Sequence, residues 1–166
     1  MTSNSRIGFV GIGRMGANMA RRLKDKGYAI SAVHDCNSKG AESLARELSC
    51  EAVPSPARVA ELCGVVLTVV SDDAAMQEIF LETSPNSLLA HAKDRLFINF
   101  ATVNPEVHVK VEALVERHGG TSLEALMASS IKQARDGTLY LMCGGKKSAF
   151  EQADIILHTL SLKPLY

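Results

Sequence analysis

The chain has 166 residues, 46% of them apolar, with 18 Lys and Arg against 18 Asp and Glu and a formal net charge of zero. A domain of this size buries roughly 70% of the surface its unfolded form exposes, so one hydrophobic core is expected rather than two separately folded halves. Basic residues adjoin only in pairs such as Arg21-Arg22 and Lys146-Lys147, which argues against nucleic acid as a main partner, and no apolar run approaches the ~18 residues of a membrane span.

Strand and helix patterns alternate along the chain. Ile7–Val10 is a short apolar run, and residues 14–26 then carry Met15, Met19, Ala20 and Leu23 at helical spacing, with Gly27 where a C-terminal cap is expected. Residues 28–34 form a second apolar run ending at Asp35, and Ser38–Leu48 reads as a helix opened by a Ser cap. Residues 50–53 predict a short third strand, Pro56–Leu62 a short helix with proline in its first turn, and residues 64–70 a buried strand. Asp72 and Asp73 cap a helix to about Leu81; residues 82–94, with Ser, Pro and Asn together, read as a loop holding one helical turn. Residues 96–100 are the next strand, and Pro105–Arg117 a helix ended by Gly119-Gly120. Residues 122–127 and 138–143 predict two more strands, 150–160 a last helix and 163–166 the start of a final strand. The alternation implies an α/β, Rossmann-type doubly wound fold, a mainly parallel sheet with helices on both faces. Ligands of such sheets bind at the carboxyl ends of the strands, where strand order reverses.

Residues outside the main motif are expected to be quiet. Met1 to Ser5 are few and polar and lead directly into a strand, so they do not read as a signal peptide. Cys36, Cys50, Cys63 and Cys143 match no metal-ligand spacing and read as buried thiols in a reducing compartment. A cytoplasmic, metal-free protein is the expectation. His34, His91, His108, His118 and His158 are expected at surface or capping positions, and no Ser, His and Asp stand in a nucleophile context that would indicate a hydrolase.

The segment RIGFVGIGRMGANMARRL sets Gly11, Gly13 and Gly16 between a strand and a helix. A glycine triple alone is weak, but here Asp35 stands at the end of the next strand, 24 positions beyond Gly11, which completes the dinucleotide fingerprint. Gly11 permits the turn, Gly13 lets backbone approach a pyrophosphate, and Gly16 lets helix and strand pack closely, with free N–H groups and the helix dipole aimed at the anion. Asp35 would accept from a ribose hydroxyl and repel a 2′-phosphate, and Cys36 stands where an arginine would assist NADP, so NAD is favoured over NADP; Lys39 and Arg46 lie close enough to blunt that preference. The other reading of Asp35 is a strand-end turn residue beside Asn37 and Ser38.

GFVGIGRMGANMARRLKDKGY resembles the opening of the β-hydroxyacid dehydrogenases, the group of 6-phosphogluconate, 3-hydroxyisobutyrate and tartronate semialdehyde enzymes, in Gly11, Gly13, Met15, Gly16, Met19, Ala20 and Leu23. VVLTVVSDDAAM is similar to the family's strand and loop beneath the nicotinamide, FATVNP to its S-T-I-S-P segment, and ARDGTLYLMCGG to its A-x-x-G-T-L-x-x-M-x-G-G. The resemblance covers almost the whole chain. Together, loop and resemblance give Gly11, Ile12, Gly13, Arg14, Met15, Gly16, Asp35, Cys36, Val70, Ser71 and Thr102 as the expected cofactor contacts.

Two departures bear on function. Where the family has D-A-P-V-S-G-G, whose serine and glycines hold the substrate, this chain reads EALMASS. Ala128 cannot donate a hydrogen bond, whereas Ser129 and Ser130 offer hydroxyls but add side chains in the substrate's path. The family's proton-transferring lysine belongs to a helical domain after this one, and no such segment is present before Tyr166; Lys132 reads as a solvated lysine, so no catalytic residue is assigned. Residues 1–166 are therefore expected to form the NAD(P)-binding domain of an oxidoreductase acting on a small β-hydroxy acid by hydride transfer, weak or inactive alone. The missing partner would be the helical domain, through which family members commonly pair into homo-oligomers. A non-catalytic NAD-binding or redox-sensing module and an imine reductase-like enzyme are the alternatives.

Overall fold

A computed structural model describes residues 5–166. Seven strands form one sheet: β1 (Ile7–Val10), β2 (Ile30–His34), β3 (Glu51–Ala52), β4 (Val65–Thr68), β5 (Leu96–Asn99), β6 (Thr121–Met127) and β7 (Leu141–Gly145). Their order is β3-β2-β1-β4-β5-β6-β7. Every neighbouring pair is parallel except β6 and β7, which are antiparallel. Strand order reverses between β1 and β4, the position at which α/β sheets open a crevice for ligands.

The helices are α1 (Arg14–Asp25), α2 (Ser38–Leu48), α3 (Pro56–Leu62), α4 (Asp73–Ile79), α5 (Pro105–Arg117), α6 (Ile131–Asp136) and α7 (Lys147–Leu160). They divide between the two faces because successive strand side chains do. Ile7, Phe9, Val65, Leu67, Leu96 and Ile98 point to the face covered by α1, α2, α6 and α7. Val10, Val66 and Phe97 point to the face covered by α3, α4 and α5. Both faces are buried, which is why the central strands read as continuous apolar runs. On α1 the spacing of Met19, Ala20 and Leu23 puts all three against the sheet.

The second face carries a polar seam across β4, β5 and β6. Thr68 Oγ1 donates to Asn99 Oδ1 at 2.7 Å, and Asn99 Nδ2 donates to Ser122 Oγ at 2.9 Å. All three residues are buried, and each such bond contributes only about 0.5–1.5 kcal/mol net, whereas a broken one would leave a buried group unsatisfied.

Several element bounds differ from the sequence expectations. Asn37 caps α2, its side chain accepting from Gly40 N–H, in place of Ser38. The loop after α4 holds the expected turn as a 3-10 segment, Leu88–His91. β7 starts at Leu141 because Leu139 makes only an isolated bridge to Ser161, and of the last residues only Leu165 bridges to Met142. α7 starts at Lys147, one turn early. α6 has no counterpart in the sequence reading. Of the four cysteines, all free, only Cys63 is buried; Cys50 and Cys143 are half-buried and Cys36 is exposed, which corrects the expectation of four buried thiols. Among the described residues no helix is long and apolar enough to cross a membrane.

Candidate dinucleotide site

The loops after β1, β2, β4, β5 and β6 gather at one end of the sheet. Two open cavities, of about 370 and 400 Å³, lie there and share Gly13, Val69, Val70 and Ser71 as their common wall. The first extends over Asp35 and Cys36 towards Pro56 and Asn86. The second runs over Arg14, Met15, Ala101, Thr102 and Ser129.

The three glycines of the first loop differ in what requires them. Gly11 has φ +87°, in the left-handed region, and a Cβ there would stand 2.4 Å from the Val69 carbonyl oxygen. A Cβ on Gly16 would stand 2.2 Å from the Gly11 carbonyl oxygen. Both must be glycine for the chain's own packing. Gly13 has an ordinary φ of −57°, and a Cβ there would meet nothing within 4 Å. No packing contact among the described residues requires it to be bare. Gly13 also caps α1 without a side-chain hydrogen bond, so the first N–H groups of the helix, on Arg14, Met15 and Gly16, lack intrahelical partners.

Asp35 is tied to this loop. Its Oδ2 accepts from Ile12 N–H at 2.8 Å and its Oδ1 from Asn37 N–H at 2.9 Å. An ionised carboxylate has about four acceptor positions, so it can brace the loop and still accept from a ligand. Ile12 takes part only through its backbone, since its side chain is packed in the core. Cys36 lies beside Asp35, its Sγ 3.5 Å from Oδ1.

On the far side, Asp72 caps α4 by accepting from Ala75 N–H at 2.9 Å and also accepts from Ser71 Oγ at 3.0 Å. Asp73 Oδ1 accepts from Asn104 N–H at 2.9 Å, which pins the loop that carries Thr102. Ser129 lines the second cavity, but Ala128 and Ser130 line neither. Both hydroxyls are engaged: Ser129 Oγ accepts from Tyr140 N–H at 2.7 Å, and Ser130 caps α6 in a capping box with Gln133. Each keeps its own proton to donate and a second lone pair. Lys132 is exposed and paired with Asp136, which raises its pKa. Among the described residues no group of three His, Cys, Asp or Glu side chains could hold a metal.

The sequence reading missed the outer wall of the first cavity, where Glu78, Ile79, Ser84 and Asn86 stand; these positions carry no motif, and the loop is held against α3 by the Ala57 N–H bond to Asn86 O and by the buried Leu88 and Leu89. It also placed His108 among surface histidines. His108 is 6% exposed, because α5 turns it inward towards β6.

The sequence pattern of the NAD binding domain of 6-phosphogluconate dehydrogenase matches residues 6–164. The chain belongs to this family. Among similar members is the mitochondrial 3-hydroxyisobutyrate dehydrogenase of Rattus norvegicus, 29% identical over 167 residues, covering 100% of this chain and 49% of that protein. The 3-hydroxyisobutyrate dehydrogenase of Mycobacterium tuberculosis, solved with L-serine, superposes with a TM-score of 0.86 at 29% identity over 98% of this chain and 54% of that one. An imine reductase from Myxococcus stipitatus, a variant solved with NAD+, gives a TM-score of 0.84 over 95% of this chain and 53% of its own, but at 16% identity shares the fold alone. This NAD-binding domain thus spans about half the length of the relatives it matches.

Thiol chemistry should report on the site's outer end. Burial pushes the Cys63 and Cys143 thiols up to about 11 and raises that of Cys50, while Cys36 is exposed on the cavity wall. Because the thiolate is the nucleophile, one thiol should react first with Ellman's reagent in the folded protein at neutral pH, and Cys36→Ser should remove that phase. Equal reactivity of all four thiols would contradict the placement.

Proposed function

We propose that this domain holds NAD across the junction of β1 and β4, with its pyrophosphate on Gly13 and the first turn of α1. The observation that carries this reading is Gly13, bare although nothing in the protein's packing occupies the space of a side chain there, and standing where the two cavities meet. A dinucleotide has two halves joined by an anion, and the paired cavities on either side of free helix N–H groups fit that shape. The adenosine half would lie over Asp35 and Cys36, and the nicotinamide half over Val70, Ser71 and Thr102. The exposed Arg14 adds a cation beside the anion.

Asp35 supports NAD over NADP. Its carboxylate is fixed in place by Ile12 and Asn37 N–H groups, so a ribose hydroxyl meets a preset acceptor and a 2′-phosphate meets a fixed negative charge.

The reaction class proposed is hydride exchange with a small β-hydroxy acid. Bound nicotinamide supplies the hydride chemistry; the chain's own residues supply orientation, through Thr102 on one wall and Ser129 on the other. Proton transfer falls to the lysine that the family resemblance assigns to a further helical domain, since Lys132 is already paired with Asp136. A non-catalytic NAD-binding module is the second reading, favoured by one observation: Ala128 offers no donor at the position where the family resemblance places a substrate-holding serine.

Two substitutions test the cofactor site. Gly13→Ala should change stability by less than about 1 kcal/mol, because the φ suits alanine while the cap position prefers glycine. It should nonetheless weaken NADH binding by about tenfold or more in calorimetric titration; unchanged binding would remove the main support for the reading. Asp35→Ala should narrow the preference for NADH over NADPH by about tenfold, and a wild-type chain that prefers NADPH would reverse the assignment.

A further inference from the structure

Behind the second cavity stands the buried ring of His108, at the end of the first turn of α5. Its Nε2 lies 3.2 Å from the Ala101 carbonyl oxygen and 3.5 Å from Glu124 Oε1. A carbonyl and a carboxylate both accept, so Nε2 carries a proton. Nδ1, also buried, has no partner among the described residues. A leucine of similar volume would avoid that desolvation cost. Packing therefore does not account for a histidine here, and the two acceptors do.

Of those two acceptors Ala101 belongs to the cavity lining, whereas Glu124 lies outside it. Ala101 and Thr102 form one wall, in the loop between β5 and α5. Glu124 stands on β6, which ends at Met127 in the cavity lining, with Ser129 two positions further on. The loop is already pinned at its far end, where Asn104 N–H donates to Asp73. At its near end the described side-chain bond is the one from His108. Beyond the ring is a cavity of about 100 Å³ lined by His108, Glu112, Ser122 and Glu124.

We propose that His108 is a positioning residue for the nicotinamide half of the bound dinucleotide, acting through the Ala101 carbonyl to fix the Thr102 wall against β6. The proposal rests on the dinucleotide reading above. His108 touches no ligand itself. Its influence is confined to the second cavity, because Asp35 and the adenosine side lie across Gly13 and Val70.

The test uses two substitutions and two ligands. His108→Leu keeps most of the volume and removes the donor; His108→Gln returns an N–H near the position of Nε2. NADH, followed by its own fluorescence, reports the nicotinamide half, and ADP, followed by calorimetry, reports the adenosine half. His108→Leu should weaken NADH by about fivefold or more and leave ADP within about twofold, with His108→Gln recovering most of the loss. Unchanged NADH affinity in His108→Leu, equal weakening of both ligands, or no recovery in His108→Gln would overturn the proposal while leaving the dinucleotide site standing. A wild-type chain that binds neither ligand would overturn both. If His108→Leu does not fold, the ring nitrogen signals of wild-type His108 decide: NADH must shift Nε2 and ADP must not, and the reverse pattern overturns the proposal.

Discussion

The close seating of α1 on the first loop is the contact from which the site is built. At Gly16 even a methyl group would collide with the Gly11 carbonyl oxygen, at 2.2 Å. Gly11 in turn sits against the Val69 carbonyl oxygen with a left-handed φ. These two approaches hold the end of β1, the start of α1 and the end of β4 together at the place where strand order reverses. The free N–H groups of α1 consequently face the crevice rather than solvent at large, and the two cavities acquire a shared wall. Asp35 completes the arrangement by fastening Ile12 N–H to the end of β2.

Much of this was legible in the sequence, because its signals are local. The glycine spacing, the apolar runs of β1 and β4 and the helical face of α1 each follow from residues a few positions apart. Asp35 was legible as an acidic residue at a strand end: its bond from Asn37 N–H is the strand-end turn expected of it, while its bond from Ile12 N–H links two loops that sequence spacing does not bring together. Strand order and the antiparallel pairing of β7 were not legible, since they depend on which distant segments meet.

The short helix α6 escaped because its six residues bury only Ala134, leaving no period to detect. Its signals were present as caps instead, with Ser130 and Gln133 at one end and Gly137 in the left-handed conformation at the other. The same capping changes the meaning of EALMASS. Read as a string, it offers two free hydroxyls; folded, one accepts from Tyr140 N–H and the other from Gln133 N–H at the start of α6. His108 was misplaced for a related reason: its partners, Ala101 and Glu124, come from a loop and from a strand that sequence spacing does not bring together.

The most direct test of the account is a two-dimensional amide NMR titration of the folded chain with NAD. The account predicts that the largest shifts fall on the amides of Gly13, Arg14, Met15 and Gly16, with smaller ones at Asp35, Val70, Ser71 and Thr102. Shifts that leave the Gly13 to Gly16 amides unmoved while appearing elsewhere, or no shifts at saturating NAD, would contradict it.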